Sequence, residues 1–530
     1  EERRVKECLL FYSMEANKET DGCRLKDLPG FLIGQVWPRE RVVMGLKVSK
    51  WLREEIHANA EAVLFSAAKG LGHSPDAFET SDIRSDLNKF SSSTKVYVSV
   101  DNVTVFKVSK ILDAIVKTFS PEPQSILPIC SSPPPKPEST LGHCLAGLCM
   151  DRLGGGDGEI LPFLTALQHC SAMEEVAIRE FWIGDDGREY LAKAIASFRE
   201  LKCLDLQLYL GDEGAEQLAQ ALVSCTALQQ LTLQHNHIQD RGLEVLFGAL
   251  GNCRRLHHVD LQHNMLGLSG AVAIGTLLAH CSHLQLLDLS HTKLDDESAS
   301  ALLLNLQLDA PRSLQHFRIR CNNCTSATVA ELAAITWPAL QTLDLEENQV
   351  GDEGATVLAS ALHRFSALRT LSLGRGGVGE NGAVALSEAL RRGDGRALTE
   401  LNLGWNMLQL GGAEALAQAL PCCPLLSTLK LSSNQITGEG LTAITAVLPQ
   451  CQALVKLDLR SNAISQDAAA ALAHAMAKCE GVMHVDLRWN RFTDTRWLKA
   501  LPDLSHSPYN PDGSESDPRQ AHARSVLRLH

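Results

Sequence analysis

Leucines along residues 159–500 recur in a fixed order, L-x-x-L-x-L-x-x-N-x-L, followed by G-x-x-G-A-x-x-L-A-x-A-L. Clear copies are "LQQLTLQHNHI" at 228–238, "LVKLDLRSNAI" at 454–464 and the second half "GDEGATVLASAL" at 351–362. Leucines two residues apart lie on one face of a strand, whereas the later leucines and alanines follow the helical period. The pattern therefore predicts a series of strand–helix units.

An asparagine ends most copies of the strand motif, and successive copies are separated by 26 to 30 residues. With two degenerate copies before the first asparagine, about twelve units follow in tandem. Because a buried amide must hydrogen-bond, we expect these side chains to form a structural ladder through the backbone of adjacent loops. The ladder positions are Asn236, Asn264, Asn322, Asn348, Asn406, Asn434, Asn462 and Asn490, with Thr292 and Gly376 in two intervening copies.

The rest of the chain lacks this period and divides into three regions. Residues 1–118 are predicted to form a small α/β domain of unknown type, in the order αβαβα. Its strands are "EAVLFSA" and "KVYVSV", and its helices are "RERVVMGLKVSKWLREEI", "SDIRSDLNKF" and "VTVFKVSKILDAIVKTF". Residues 119–158, rich in proline, serine and glycine, are predicted to be a linker. Residues 501–530 are predicted to be a polar, disordered tail.

The repeat resembles the leucine-rich repeat superfamily, and specifically its ribonuclease-inhibitor-like subtype, in which each unit is a strand and a full helix. The resemblance implies an α/β fold, a horseshoe solenoid with a parallel concave sheet and convex helices, preceded by the small α/β domain. Elementary packing agrees with this expectation. Strands stack about 4.8 Å apart but helices need about 8–10 Å, so the helical side of the array is the longer one.

Composition and charge narrow the classes of function. The 530 residues carry a formal charge of −13, which disfavours nucleic acid and anionic membranes as partners. No apolar run approaches the roughly 18–20 residues that cross a bilayer, and 16 cysteines are too sparse for a disulfide scaffold. We expect a cytoplasmic protein with reduced thiols and with neither a nucleic-acid nor a membrane partner. The oligomeric state is open.

Familiar catalytic motifs are missing from the sequence, which has no G-x-x-x-x-G-K-[ST], no H-E-x-x-H and no G-x-S-x-G. We therefore expect a non-enzymatic protein without a cofactor. Three histidines 28 residues apart, His235, His263 and His291, raise a metal site as an alternative. Because their side chains would have to converge on one ion, we expect a neutral polar stripe instead.

Side chains between the core leucines are predicted to project from the concave sheet, where we expect them to bind a partner protein. Many are charged, and two tryptophans at equivalent positions add a residue type enriched among interface hot spots. The candidate partner-binding residues are Asp260, Asp288, Asp344, Arg375, Trp405, Arg460, Arg488 and Trp489. The predicted function is that of a protein–protein interaction scaffold or regulator.

Two functions of similar repeat proteins stand as alternatives. A RanGAP-like GTPase activator also uses such repeats, but the segment "SESDPRQAHARSVLRLH" is not the acidic tract typical of that family. A ribonuclease-inhibitor-like enzyme inhibitor would suit the acidic face, because a basic enzyme is electrostatically complementary to it. Neither alternative assigns a catalytic residue.

Overall fold

The computed structural model describes residues 42–44, 62–68, 95–101, 145–151, 160–161, 164–165, 167–168, 170–308, 313–476, 484–492 and 527–528. The chain divides into two compact units, Glu1–Leu256 and His257–His530. In both units strands alternate with helices, and neighbouring strands run parallel. This confirms the predicted fold class, a solenoid of strand–helix repeats.

Every described strand of the first unit pairs in parallel with the next strand along the chain. In chain order the strands are β1 (Val42–Met44), β2 (Ala62–Ala68), β3 (Lys95–Asp101), β4 (Leu145–Asp151), β5 (Glu175–Arg179), β6 (Cys203–Leu206) and β7 (Gln230–Thr232). The parallel sheet of this unit therefore begins well before residue 159, where the leucine repeat begins.

The early strands change part of the sequence prediction. β2 and β3 confirm the two strands predicted within residues 1–118. β1 lies inside a predicted helix, which is wrong for residues 42–44, where two β-branched valines suit a strand. β4 lies within the predicted linker and pairs with β5. The other helices predicted for residues 1–118 lie outside the described residues, and the small α/β domain remains a prediction.

The second unit continues the same pattern with parallel pairs from each described strand to the next. Its strands are β8 (His258–Asp260), β9 (Leu286–Asp288), β10 (His316–Arg318), β11 (Thr342–Asp344), β12 (Thr370–Ser372), β13 (Glu400–Asn402), β14 (Thr428–Lys430), β15 (Lys456–Asp458), β16 (His484–Asp486) and β17 (Leu527–Arg528). β17 lies in the predicted tail, whose other residues are outside the described ranges.

One α-helix follows each repeat strand from β5 to β15. The helices are α1 (Asp185–Ser197), α2 (Gly211–Leu222), α3 (Asp240–Ala249), α4 (Leu268–His280), α5 (Asp296–Leu308), α6 (Ser326–Ala334), α7 (Gly351–Ala361), α8 (Glu380–Arg392), α9 (Gln409–Ala419), α10 (Gly438–Val447) and α11 (Gln466–Met476). None of these described helices is both long and apolar enough to cross a membrane.

The core lies between the strands and the helices. On β11 and the residue after it, Leu343 and Leu345 are fully buried, and Ala355 and Leu358 of α7 are fully buried on the facing helix. Alternating strand residues thus point inward, while helical residues at the i, i+3 spacing meet them. The small alanine lets helix and sheet approach closely, so each repeat depends on its neighbours for burial.

Carboxylates near the start of one helix cap the helix of the next repeat. Asp352 Oδ1 accepts hydrogen bonds from the backbone N–H groups of Gly379 at 2.6 Å and Gly382 at 2.8 Å. Asp212 accepts from Gln239 and Gly242 in the same way. A helix N-terminus has unpaired N–H groups and a positive dipole end, so a carboxylate stabilises it. The capping residue comes from another repeat, which couples neighbouring units.

Aromatic side chains fill an irregular part of the core. Trp337 is buried and stacks between Phe317 and Phe365, with ring centroids 6.0 and 6.4 Å apart. Its indole N–H donates to the Leu332 carbonyl at 3.0 Å. Other repeats place a cysteine at the position of Trp337, as Cys281 does. The short helix α6 thus packs beside a larger side chain at this turn.

Candidate functional site

Each ladder asparagine connects its own strand by hydrogen bonds to the loop of the preceding repeat. Asn406 Nδ2 donates to the carbonyls of Leu373 at 2.9 Å and Leu403 at 3.0 Å. Its Oδ1 accepts from the N–H groups of Gly376 at 3.1 Å and Val378 at 3.0 Å. Both ends of the amide are therefore used, and the loop that carries the surface residues is held rigidly.

The residue just before the ladder position has a left-handed backbone in every repeat of the second unit that the structure describes. We call these residues the rim row. The rim row is His263, His291, Cys321, Glu347, Arg375, Trp405, Ser433, Ser461 and Trp489, with φ between +51° and +60°. This conformation costs a non-glycine residue about 1–2 kcal/mol, so the backbone here is imposed by the ladder rather than by the side chains.

Main-chain hydrogen bonds hold the rim row against the next repeat. The N–H of Arg375 donates to the Gly404 carbonyl at 2.8 Å, and the N–H of Trp405 donates to the Ser432 carbonyl at 2.6 Å. Side chains in the rim row are thus presented from fixed positions at one edge of the sheet. In the first unit, His235 occupies the equivalent position with φ of +56°.

Acidic residues at the ends of the strands have a backbone role that the sequence did not reveal. Asp344 Oδ1 accepts from the Glu346 N–H at 3.0 Å, and Asp458 Oδ1 accepts from the Arg460 N–H at 3.1 Å. Asn402 makes the same bond to Gly404 at 3.1 Å. The residues that use this bond are Asp260, Asp288, Asp344, Asn402, Asp458 and Asp486. One side-chain oxygen of each residue thus accepts a backbone hydrogen bond within the turn.

Six charged residues on β9 to β11 and the turns after them form a cluster that we call the central cluster: Asp288, Arg318, Arg320, Asp344, Glu346 and Glu347. Arg320 Nη2 lies 3.3 Å from Glu346 Oε1 and 2.7 Å from Glu347 Oε1. Arg318 Nη1 lies 3.4 Å from Asp288 Oδ2. Four carboxylates thus share two guanidinium groups, and Asp288, only 2% exposed, offers little surface to a partner.

Burial and the nearby negative charges together affect Asp344. Burial raises the pKa of this carboxyl above its ordinary value, and the charges of Glu346 and Asp288 raise it further. The Glu346 N–H and Arg320 only partly offset these effects. In contrast, the hydrogen bond from Arg320 lowers the pKa of Glu347. The central cluster thus has four carboxylates and two guanidinium groups of its own, and the charge of Arg375 in the next repeat also lowers the pKa of Glu347.

Glu346 reaches across two strands, because glycine at position 374 leaves its path clear. Its Oε2 accepts from Asn402 Nδ2 at 2.9 Å and from Ser372 Oγ at 3.2 Å. A Cβ at Gly374 would lie 3.1 Å from Glu346 Cγ and 3.1 Å from Asn402 Nδ2. Gly404, the corresponding residue of the next repeat, is also buried without a side chain. The Glu346 side chain therefore occupies the space that a side chain at position 374 would need.

Arg375 and Trp405, both predicted as partner-binding residues, are brought together by the stacking of adjacent repeats. The Arg375 guanidinium lies 4.3 Å from the centroid of the Trp405 ring. Trp405 is nevertheless 55% exposed, with Met407 exposed in the same turn. An indole that remains this exposed while held by a fixed backbone is a typical anchor for a binding partner.

Arg460, Arg488 and Trp489 join two aspartates in a second group, which we call the C-terminal cluster: Asp458, Arg460, Asp486, Arg488 and Trp489. Arg460 lies 2.7 Å from Asp458, and Arg488 lies 2.6 Å from Asp486. The Arg488 guanidinium is 5.3 Å from the Trp489 ring centroid. Trp405 follows β13 and Asp458 lies on β15, so strand β14 lies between the Arg375–Trp405 pair and the C-terminal cluster.

Two of the three candidate metal-binding histidines contact each other. The rings of His263 and His291 stack with centroids 4.2 Å apart and an interplanar angle of 15°. Within the described residues, no group of three or more His, Cys, Asp or Glu side chains is arranged to hold a metal ion. The two stacked rings present their faces to each other.

Three buried thiols are poor nucleophiles. Burial raises the pKa of Cys170 to about 11 and that of Cys423 to about 12. Burial likewise raises the pKa of Cys324 to about 12. Since the thiolate is the reactive form, these cysteines are suited to packing rather than to covalent chemistry.

Comparisons with known proteins found matches to one family model and similar solved structures. Seven segments match the family model described as Leucine Rich repeat, namely residues 224–247, 252–275, 280–303, 338–359, 396–417, 422–444 and 450–473. An internalin from Listeria monocytogenes is 20% identical, with 67% of this chain and 82% of that chain covered and a TM-score of 0.40. A leucine-rich repeat protein from Leptospira interrogans is 14% identical, with 83% and 93% covered and a TM-score of 0.44. The family-model matches identify the repeats as leucine-rich repeats.

Proposed function

We propose that this leucine-rich repeat protein is a non-enzymatic interaction protein that binds a partner on the open face of its sheet. Leucine-rich repeat proteins generally mediate protein–protein interaction. The observation that carries the proposal for this chain is the exposed Trp405, fixed in a left-handed turn and stacked on Arg375. The contact surface that we propose extends from the central cluster to Trp405, with the C-terminal cluster as a second contact.

The physical argument rests on exposure combined with rigidity. An exposed indole gains free energy when a partner removes it from water, and tryptophan and arginine are enriched among the residues that dominate interfaces. Because the ladder and main-chain hydrogen bonds already fix the turn, binding would not have to order it. Preorganisation of this kind lowers the entropic cost of association.

The ribonuclease-inhibitor-like subtype is part of this proposal. Two features support it: the ladder positions are separated by 26 to 30 residues, and a full α-helix lies between most neighbouring strands. We also propose that the protein acts inside the cell, since 16 cysteines in 530 residues are too few for the disulfide scaffold of a secreted protein.

Affinity capture tests the binding proposal. The full chain is immobilised, partners are identified by mass spectrometry, and each partner's affinity is measured for Trp405→Ala and Trp489→Ala. Trp182→Ala is the matched control, because Trp182 is 63% exposed but lies in the loop before α1. We expect Trp405→Ala to weaken a specific partner by at least about tenfold, as for a hot-spot residue, and Trp182→Ala to have no effect. Equal affinity for all three variants would refute the proposed surface.

A further inference from the structure

Arginines at one edge of the second unit point to a further interaction surface: we infer that this edge binds an acidic segment of a partner protein. It is separate from the open face of the sheet, where the proposed function lies. Two consecutive segments, residues 363–369 and 391–397, form the edge, and each leads from the end of a helix to the next strand. We call their arginines the basic edge: Arg364, Arg369, Arg391, Arg392 and Arg396.

Charge distinguishes these two segments from their neighbours. Together they contain five arginines and a single acidic residue, Asp394. The corresponding segments of the flanking repeats, residues 335–341 and 421–427, contain no charged residue, and the whole chain has a formal charge of −13. The basic edge is therefore a local reversal of sign, to which a negatively charged partner is complementary.

The stacking of adjacent repeats brings the two segments together. At the start of β13 the Thr399 N–H donates to the Arg369 carbonyl at 2.7 Å, and Arg396 is only three residues before Thr399. A Cβ at Gly393 would lie 2.8 Å from Arg396 Nε, so the Arg396 side chain lies over the turn that follows α8. The last two residues of α8 are arginines as well. All five arginines of the basic edge are exposed.

Most of these guanidinium groups lack an internal partner. Arg392 Nε lies 3.2 Å from Asp394 Oδ2, and Arg364 donates to the last carbonyls of α6 at 3.0 and 2.9 Å. In the central and C-terminal clusters, by contrast, the arginines are paired with carboxylates. Among the residues that the structure describes, three arginines of the basic edge make no ion pair: Arg369, Arg391 and Arg396.

Helix α8 does not need these arginines to complete its C-terminal end. Gly393 has a left-handed backbone with φ of +93°, and its N–H donates to the Leu390 carbonyl at 3.0 Å. The Asp394 N–H donates to the Ala389 carbonyl at 3.1 Å. Such backbone bonds close a helix C-terminus, so the guanidinium groups of the basic edge are not required as caps there.

Arginine, and not lysine, stands at all five basic positions. A planar guanidinium group donates two parallel hydrogen bonds to one carboxylate, whereas an ammonium group acts as a point charge. The aspartate and glutamate side chains of a partner segment are therefore the groups that fit this edge.

An exposed leucine next to the basic edge favours a protein as the partner. Leu425 is 54% exposed and occupies the position of Ala397 in the next repeat. The two repeats are joined there by the Ser427 N–H, which donates to the Thr399 carbonyl at 2.8 Å. An acidic segment with one apolar side chain would cover the leucine as well as the arginines. A long polyanion would extend from the basic edge onto an acidic protein, which repels it.

Peptide selection on two forms of the protein tests the inference. Random peptides displayed on phage are selected on the full chain, and those that no longer bind the double variant Arg391→Gln with Arg396→Gln are synthesised. We expect these peptides to be rich in aspartate and glutamate, and their affinity to fall about tenfold on the double variant, the equivalent of about two exposed ion pairs. Circular dichroism checks that the variant is folded.

Matched controls locate the effect. The double variant Arg254→Gln with Arg255→Gln removes the same charge from two exposed arginines in a corresponding segment of the first unit, and it should leave the affinity unchanged. Leu425→Ser should weaken the same peptides without any change in charge. Trp405→Ala should have no effect on them, because Trp405 follows β13 whereas Arg396 precedes it. Raising the NaCl concentration should weaken binding, because salt screens the attraction.

Several results would overturn the inference and leave the proposed function at Trp405 intact. One is a set of peptides that depend on Arg391 and Arg396 but contain no acidic residue. Another is equal binding of every selected peptide to the full chain and to the double variant. Binding of single-stranded RNA or of phosphatidylserine vesicles that is lost in the double variant, without selection of acidic peptides, would assign the edge to a polyanion instead.

Discussion

In the C-terminal cluster, Asp458 and Arg460 stand two residues apart, and Asp486 and Arg488 repeat that spacing in the next repeat. Each arginine folds back onto the aspartate of its own repeat, at 2.7 and 2.6 Å. In the central cluster the partners lie on different repeats: Arg320 follows β10, whereas Glu346 and Glu347 follow β11. Pairing is thus mainly within one repeat in the C-terminal cluster, where Arg460 also lies 3.7 Å from Asp486 of the next repeat, and runs across repeats in the central cluster.

This difference shows that the spacing of acidic and basic residues along a strand decides whether they neutralise each other. Side chains at i and i+2 share one face of a strand, so an Asp-x-Arg sequence neutralises itself. When the i+2 residue is acidic as well, as in Asp344 and Glu346, the charges add and the neutralising group must come from elsewhere. The central cluster therefore has more carboxylates than arginines, whereas the C-terminal cluster has equal numbers of the two.

The largest expected effect on the free energy of unfolding comes from the ladder asparagines. It tests whether the repeats of both clusters are held by the same hydrogen bonds. Asn406 and Asn462 make equivalent pairs of donated and accepted hydrogen bonds. Replacing either with alanine leaves buried backbone groups unpaired and should cost about 3 kcal/mol. Urea unfolding of Asn406→Ala and Asn462→Ala measures both. A loss below about 1 kcal/mol at Asn462 alone would mean that the C-terminal repeats are held differently.

A smaller effect on the free energy of unfolding should distinguish Arg320 from Arg460. Arg320→Ala leaves Glu346, Glu347 and Asp344 close together, so we expect a loss of about 1 kcal/mol in the free energy of unfolding at low salt. Arg460→Ala leaves Asp486 paired with Arg488, so we expect about half that loss. Both side chains are partly exposed, and the difference should shrink in high salt. Equal losses at all salt concentrations would contradict the proposed imbalance of charge.

The smallest expected effect is the change in stability when an aspartate is replaced by asparagine. This change should have opposite signs in the two clusters. In the folded protein the raised pKa of Asp344 means that its protonated form is favoured, so its contribution to stability is present at low pH and is lost as pH rises through the folded-state pKa. Asp344→Asn should therefore stabilise the protein at pH 7 by roughly 0.5 kcal/mol. Asp458→Asn removes the ion pair with Arg460 and should destabilise it slightly.

Thermal unfolding across a pH series checks this prediction. The gain from Asp344→Asn should disappear as pH falls below the ordinary aspartate pKa of about 4, where the native carboxyl is neutral as well. The asparagine can still accept the Glu346 N–H, as Asn402 does for Gly404. A variant that is less stable than the native protein at pH 7 would show that Asp344 is well paired, contrary to the structure of the central cluster.

The repeats could be predicted from the sequence because their signal is local. Leu343 and Leu345 are buried as the period-2 pattern predicts, and Asn406 occupies the ladder position that its place after the strand indicates. The early strands β1 and β4 could not be predicted in the same way. Their short apolar stretches carry no repeat, and only hydrogen bonds with the neighbouring strands identify them as part of a sheet.

The candidate site was partly predictable. The sequence places Trp405 and Arg375 at the same position of the repeat, just before the ladder residue, but it does not indicate the left-handed backbone there. Gly374 and Gly404 do carry a signal in the sequence, since glycine replaces a long side chain in two successive repeats. The contact between Glu346 and Asn402 joins residues 56 positions apart, and no local pattern indicates such a pair.

The sequence by itself determined the repeat, its strand–helix units, the buried leucines and the ladder asparagines, because each follows from a short period that any one unit repeats. Tertiary structure alone decided which charged side chains meet. Stacking placed Arg375 on Trp405 and let Glu346 cross Gly374 to Asn402. Such contacts depend on the register between repeats and on the space that a neighbouring residue leaves, and neither is a property of one segment of chain.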